Sequence, residues 1–180
     1  MTSTEQIYNP PHINISGVLK LLLACLLLMP HWQCYNFKGI SIPEGAKNFY
    51  IKNFEDISDL QLPNYNITFT EALKDKIRNE SRLKWNETAP DIEFSGKVIG
   101  FSVSAVAPIA GATTAFNRLE VTVEVTYTNH LDPKANWTKK FSQFDNFDAQ
   151  QNLLEAQTQI LPGITTLLTE YIFNAAFTDW

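Results

Sequence analysis

The chain has 180 residues, of which 44% are hydrophobic and 12% aromatic, with only 7 Gly and 9 Pro. That composition excludes a disordered or fibrous protein and suits one domain of about 150 residues with its own core. The net charge of -5 and the scattering of 14 Lys and Arg residues, apart from small groups such as Lys139-Lys140, argue against nucleic acid as a partner.

Leu21 to Met29 are nine consecutive apolar residues. A membrane-spanning helix needs about 20 and the core of a secretory signal about 7 to 15, so residues 1–33 read as an export signal and residues 34–180 as a single domain. The flank before this run is long, contains Pro10-Pro11 and offers Lys20 as its positive charge. The other reading, a buried apolar helix of the domain, lacks an amphipathic surrounding. Both cysteines, Cys25 and Cys34, lie in or beside this segment, so no intrachain disulfide staples the domain. Either is a candidate lipid acceptor. Leu22-Leu-Ala-Cys25 has the small-residue approach but would split the apolar run. Cys34 stands where the domain begins but follows His31-Trp-Gln33, which lacks small residues. The residues alone leave both open.

Lys47 to Phe54 alternates, with Phe49 and Ile51 on one side and Tyr50 and Lys52 on the other, which predicts a first strand. Thr68-Phe-Thr-Glu71 has the spacing of a capping box and predicts a helix start, with Phe69, Ala72 or Leu73, and Ile77 inward and Lys74, Asp75, Lys76 and Arg78 outward. This helix is expected to end near Leu83 to Trp85. Asp91 to Ala107 reads as a long strand whose apolar phase moves from Ile92, Phe94 and Val98 to Phe101, Val103 and Ala105. The slip falls at Gly100, where a bulge or bend absorbs one residue.

Pro108 to Ala115 is a small-residue loop. Leu119-Glu-Val-Thr-Val-Glu-Val-Thr-Tyr127 then alternates strictly, with Glu120, Thr122, Glu124 and Thr126 facing water or a polar partner. A turn at His130 to Lys134 leads into a fourth strand, Asn136 to Phe144. Asp148 is placed to cap a long helical pattern through Leu153, Leu154, Ile160, Ile164, Leu167, Leu168, Tyr171, Ile172 and Ala175, which Pro162 must kink or divide. The order β-α-β-β-β-α predicts an α+β two-layer sandwich, a four-stranded sheet with two helices on one face.

Chemistry is sparse. His130 is the one histidine beyond Cys34, and it lies in a turn, so neither a zinc site of the usual kind nor a Cys-His or Ser-His-Asp set is supplied. Glu120 and Glu124 are explained by outward alternation. The seven glycines are dispersed and form no phosphate loop. The five Asn-X-Ser/Thr triplets, at Asn14, Asn66, Asn79, Asn86 and Asn136, suit chance in a chain rich in Asn and Thr. The aromatics Phe141, Phe144, Phe147, Phe173, Phe177 and Trp180 read as packing residues. No catalysis, metal or cofactor is expected; a binding or assembly module is.

In order and spacing, five segments match a known family: Cys34-Tyr-Asn-Phe-Lys-Gly39 with Ser41-Ile-Pro43, Phe69-Thr-Glu-Ala-Leu-Lys-Asp75, Ala115-Phe-Asn-Arg-Leu-Glu-Val121, Phe141-Ser-Gln-Phe144 and Leu168-Thr-Glu-Tyr-Ile-Phe-Asn174. The chain resembles the lipopolysaccharide-assembly lipoprotein family LptE, in a divergent Gram-negative form, over residues 34–180. The resemblance implies two helices on a four-stranded sheet and acylation at Cys34, which directly precedes the Tyr-X-Phe-X-Gly segment. It also implies a lipid-anchored position on the periplasmic side of the outer membrane. Its partners would be lipopolysaccharide and the outer-membrane β-barrel LptD, which a non-enzymatic LptE plugs and helps to assemble. A polar outer sheet face suits a polar barrel lumen. The loop from Pro108 to Asn117 suits insertion; Asn117 and Arg118 at its end, with Lys97, Lys139 and Lys140, are candidate partner-binding residues, the cations to meet lipid phosphate or barrel carboxylates. The alternative is a periplasmic or secreted non-enzymatic binding module that never meets LptD.

Overall fold

A computed structural model describes residues 39–60, 62–107 and 115–178. Residues 1–38, with Cys25 and Cys34, the loop from Pro108 to Thr114, and Trp180 lie outside the described residues. Four strands form where the alternation predicts them: β1 (Asn48–Ile51), β4 (Ile92–Val106), β5 (Phe116–Asn129) and β6 (Trp137–Asp148). Two more, β2 (Glu55–Asp56) and β3 (Lys84–Trp85), enlarge the expected four-stranded sheet to six strands. Its path is β3-β1-β4-β5-β6, with β2 beside β4. β1 and β2 lie parallel to β4, and β3 lies parallel to β1, whereas β4, β5 and β6 are antiparallel.

The extra strands have local causes. The expected first strand is interrupted after Ile51, and between the pairs Ile51↔Phe94 and Glu55↔Lys97 three residues face two on β4. The surplus residue turns Phe54 inward. Its N–H donates to Thr70 Oγ1 at 3.1 Å, and its carbonyl accepts from Asn66 Nδ2 at 2.9 Å. β3 occupies residues expected to finish the helix. That helix, α1 (Tyr65–Ser81), stops where Arg82 takes φ 62°, and Lys84 N–H then donates to the Lys47 carbonyl at 3.0 Å.

α1 also starts earlier than its sequence signal. Thr68 does not cap it; the Thr68 hydroxyl donates back to the Asn64 carbonyl at 3.2 Å, as a threonine within a helix does. Asn64, at φ 60°, is the cap residue but makes no side-chain cap bond. Tyr65 anchors the first turn, since it is buried and hydrogen-bonds Thr165 Oγ1 at 3.0 Å. Burial pushes the Tyr65 hydroxyl up to about 12, an effect that the bond to Thr165 opposes. Phe69, Leu73 and Ile77 face inward as expected.

The second helix, α2 (Leu153–Phe177), is capped by Asn152, whose Oδ1 accepts from Leu154 N–H at 2.9 Å. Asp148, the expected cap, instead accepts from Gln150 N–H at 2.8 Å in the preceding turn. Pro162 does not divide α2, because Pro162 and Gly163 both lie on its exposed side. By length and composition α2 could cross a membrane, but Ile164, Leu168, Ile172 and Phe177 are buried among the sheet residues. Leu154, Leu167 and Tyr171, counted with the apolar pattern, are exposed.

The core lies between both helices and one sheet face, where Leu119, Val121, Val123, Val125 and Tyr127 are all buried. Burying each large side chain contributes about 1.5–3 kcal/mol. The bulge in β4 falls between Val98 and Gly100, so the surplus residue is Ile99, beside the expected position. Asn66 and Asn136, two of the Asn-X-Ser/Thr positions, have internal uses, Asn136 Oδ1 accepting from Asn129 N–H at 2.7 Å.

Gly96 is required for contact reasons. A Cβ there would meet the Glu124 carbonyl oxygen and lie 2.5 Å from Cε1 of Phe54. Gly96→Ala is expected to lower unfolding free energy by about 2–3 kcal/mol, measured by urea denaturation, as overpacking does. An unchanged midpoint would contradict this packing.

Candidate interaction face

The sheet face turned away from the helices is built by the even-numbered residues of β5 and their partners. Across β4, β5 and β6 the register sets Ser95, Thr126 and Thr138 in one row, Lys97, Glu124 and Lys140 in the next, then Gly100, Thr122 and Ser142. Beyond them come Ser102, Glu120 and Phe144, and then Ser104, Arg118 and Asn146. The hydroxyls satisfy one another, with Thr126 and Thr138 at 2.9 Å and Thr122 and Ser142 at 2.7 Å. Such cross-strand pairs hold the register without needing a cover of apolar side chains.

Charge on this face is mixed. Lys97 and Lys140 flank Glu124 across the register. The ion pairs found among the described residues lie elsewhere: Glu71 with Lys74, Asp75 with Arg78, Lys76 with Glu80, and Glu93 with His130. Lys97 and Lys140 are exposed.

Arg118 lies six residues from Glu124 along β5, about 20 Å at 3.4 Å per residue. Its guanidinium carbon is 3.8 Å from the ring centroid of Phe144, and its Nε donates to Asn146 Oδ1 at 3.4 Å. The ring beneath and the Asn146 oxygen beside it give the guanidinium two points of support. Phe144 stays 46% exposed while serving as this platform. Sequence reasoning placed Phe144 with the packing aromatics; the signal that separates it is parity, since Phe141 and Phe147 share the inward phase and Phe144 does not.

Not all candidate residues meet. Asn117 pairs with Ala105 and Phe147, on the inward phase and opposite in phase to Arg118. Lys139 pairs with inward-facing Val125, and its ammonium lies 5.0 Å from the Trp137 ring centroid. The Lys139-Lys140 dipeptide is therefore divided between the two faces of β6. Lys97, Lys140 and Arg118 share the polar face; Asn117 and Lys139 do not. His130 is exposed, with Nε2 3.4 Å from Glu93 Oε2. Among the described residues no group of three His, Cys, Asp or Glu side chains is placed to hold a metal. At the far end of β5, Tyr127 stacks on Trp137 at 5.4 Å, and burial, with Asp132 nearby, raises the Tyr127 hydroxyl to about 12.

The family model for LptE, described as lipopolysaccharide-assembly, matches residues 46–176. The chain belongs to the LptE family. Membership in LptE gives it a role in lipopolysaccharide assembly. Among solved structures, this LptE chain is similar to a putative neuraminyllactose-binding hemagglutinin homolog from Helicobacter pylori. The two share 10% identity over 78% of this chain and 90% of the other, at a TM-score of 0.50. Also similar are the rare lipoprotein B from Shewanella oneidensis (11% identity, 69% and 90% covered, TM-score 0.44) and a minor lipoprotein from Acinetobacter baumannii (11%, 67% and 91%, 0.44). At such identities the likeness concerns the fold. No curated protein matches the sequence.

In this LptE chain the stack of Arg118 on Phe144 should be measurable. A double-mutant cycle with Arg118→Ala and Phe144→Ala is expected to give a coupling of about 0.5–1 kcal/mol in urea unfolding. Arg118→Lys should recover less than half of it, because the ammonium lacks the planar fork. Zero coupling would remove the platform.

Proposed function

We propose that this LptE-family chain works as a lipoprotein on the periplasmic side of the outer membrane. Residues 1–33 serve export, and residues 34–180 form the mature domain with an acylated Cys34. The domain plugs the lumen of the LptD β-barrel, assists its assembly and helps to pass lipopolysaccharide to the cell surface, without catalysis. The observation that carries this reading is the polar sheet face, a hydroxyl-rich surface with both signs of charge. A barrel lumen is polar, so a plug that presented leucines there would bury them against unmatched polar groups.

Within that surface Lys97, Lys140 and Arg118 take the anionic contacts, whether lipid phosphates or barrel carboxylates. Arg118 offers a fork already oriented by Phe144, whereas the two lysines act as mobile point charges. Asn117 and Lys139 contribute from the opposite face, at the margin. Two acyl chains on Cys34 suffice for stable anchoring at about 0.8 kcal/mol per buried CH₂.

Co-purification from detergent-solubilised outer membranes tests the reading. The tagged full-length chain is expected to bring down an integral β-barrel, and mass spectrometry to find an acylated N-terminal Cys34. Reversal to Glu at Lys97, Lys140 or Arg118 should each weaken the association or lipopolysaccharide binding about fivefold, near 1 kcal/mol, with the loss shrinking at high salt. Lys139→Glu should do less. A chain recovered as a soluble monomer with no barrel would overturn the proposal.

A further inference from the structure

On the other side of the molecule, α1 and α2 leave a groove of about 550 Å³ between them. That volume lies within the range of about 300–1,000 Å³ usual for small-molecule sites. None of the residues that line it carries a charge. Its walls are apolar, with Leu62 and Ala72 on the α1 side and Leu154 and Leu161 on α2. Leu154 is 72% exposed, a high value for a leucine placed beside a helix interface.

Polar groups in the groove are few and specific. Gln157 lines it and is only 9% exposed, yet no described residue hydrogen-bonds its carboxamide. Neither amide atom is sealed away from the open space. The Gln157 carboxamide is thus open to the groove and free to bond a polar group that enters it. One turn on, Pro162 carries no N–H, so the Thr158 carbonyl beside the groove lacks its usual helical donor. The Tyr65 hydroxyl, by contrast, is occupied by Thr165.

We propose that this groove holds one acyl chain of lipopolysaccharide, with the amide or ester group that joins the chain to its sugar hydrogen-bonded to Gln157. The absence of charge fits the uncharged part of that molecule and rejects its phosphates, which suit the cations of the sheet face. The Gln157 carboxamide can donate and accept at once, and the Thr158 carbonyl accepts a second donor. The helix groove and the sheet face would then engage two chemically different parts of one ligand. This inference rests on the family's role in lipopolysaccharide assembly.

The test uses the full chain with a benzophenone side chain in place of Thr68, in the groove, or of Ser142, on the sheet face. Each protein is irradiated with purified lipopolysaccharide or with phosphatidylethanolamine vesicles. A cross-link to lipopolysaccharide from position 68 is expected, with little from the phospholipid. Ala72→Trp should abolish it by filling the groove, and Gln157→Leu should lower it roughly fivefold while leaving thermal stability unchanged or higher. If Ala72→Trp does not fold, Gln157→Leu decides. Equal labelling by phospholipid, or no effect of Gln157→Leu, would overturn the proposal. A cross-link from position 142 alone, or silence at both positions, would overturn it while leaving the barrel contact of the sheet face to the co-purification test.

Discussion

The arrangement depends on Phe54 lying over Gly96. One surplus residue after Ile51 turns the Phe54 ring into the core, where a Cβ on β4 would collide with it, and Phe69 packs against it at 5.0 Å. The backbone at Phe54 is held from α1 through both its N–H and its carbonyl. Those contacts fix where α1 crosses the sheet. β1 and β4 are parallel, so a crossover is needed between them, and α1 supplies it on the face that Phe54 enters. The opposite face of β4, β5 and β6 is left without helices, which is the precondition for an interaction surface there.

The remaining parts follow from that division. On β5 one strand serves two environments: valines and Leu119 against the helices, and Arg118, Glu120, Thr122, Glu124 and Thr126 away from them. Hydroxyl pairs to β6 keep the polar side in register at no apolar cost. The same period-two rule that forms the core thereby places three cations on a surface without consuming them in ion pairs among the described residues. In a family concerned with lipopolysaccharide assembly, a face of this kind suits a polar barrel lumen and anionic lipid headgroups together.

Much of this was legible in the sequence because it depends on periodicity. The alternation of Leu119 to Tyr127 identified the central strand and its inward side, and the phase slip located the β4 bulge within one residue. The same alternation already implied that Lys139 and Lys140 part company, and that Phe144 differs from Phe141 and Phe147. What periodicity misses is short or local. β2 and β3 have two residues each, too few to alternate, and they arise from a break after Ile51 and a left-handed residue at Arg82. Thr68 and Asp148 had the right chemistry for caps, but backbone groups nearer in space took their side chains. The helix groove depends on how two helices lean together, so no single stretch announces it; the lone hint was Leu154, Leu167 and Tyr171 in a helix with more apolar residues than one face can bury.

Phe144 makes the central claim directly measurable, because it is an exposed aromatic on the polar face, carried by β6 opposite Glu120. Hydroxyl-radical footprinting of the native chain, free and mixed with the proposed β-barrel partner, reads the oxidation of Phe144 against that of Trp85, which is 38% exposed at the β3 edge. The account predicts that complex formation protects Phe144 several-fold more than Trp85. Equal oxidation of Phe144 in the free and bound states would contradict it, since the polar face would then be turned to water and not to the barrel.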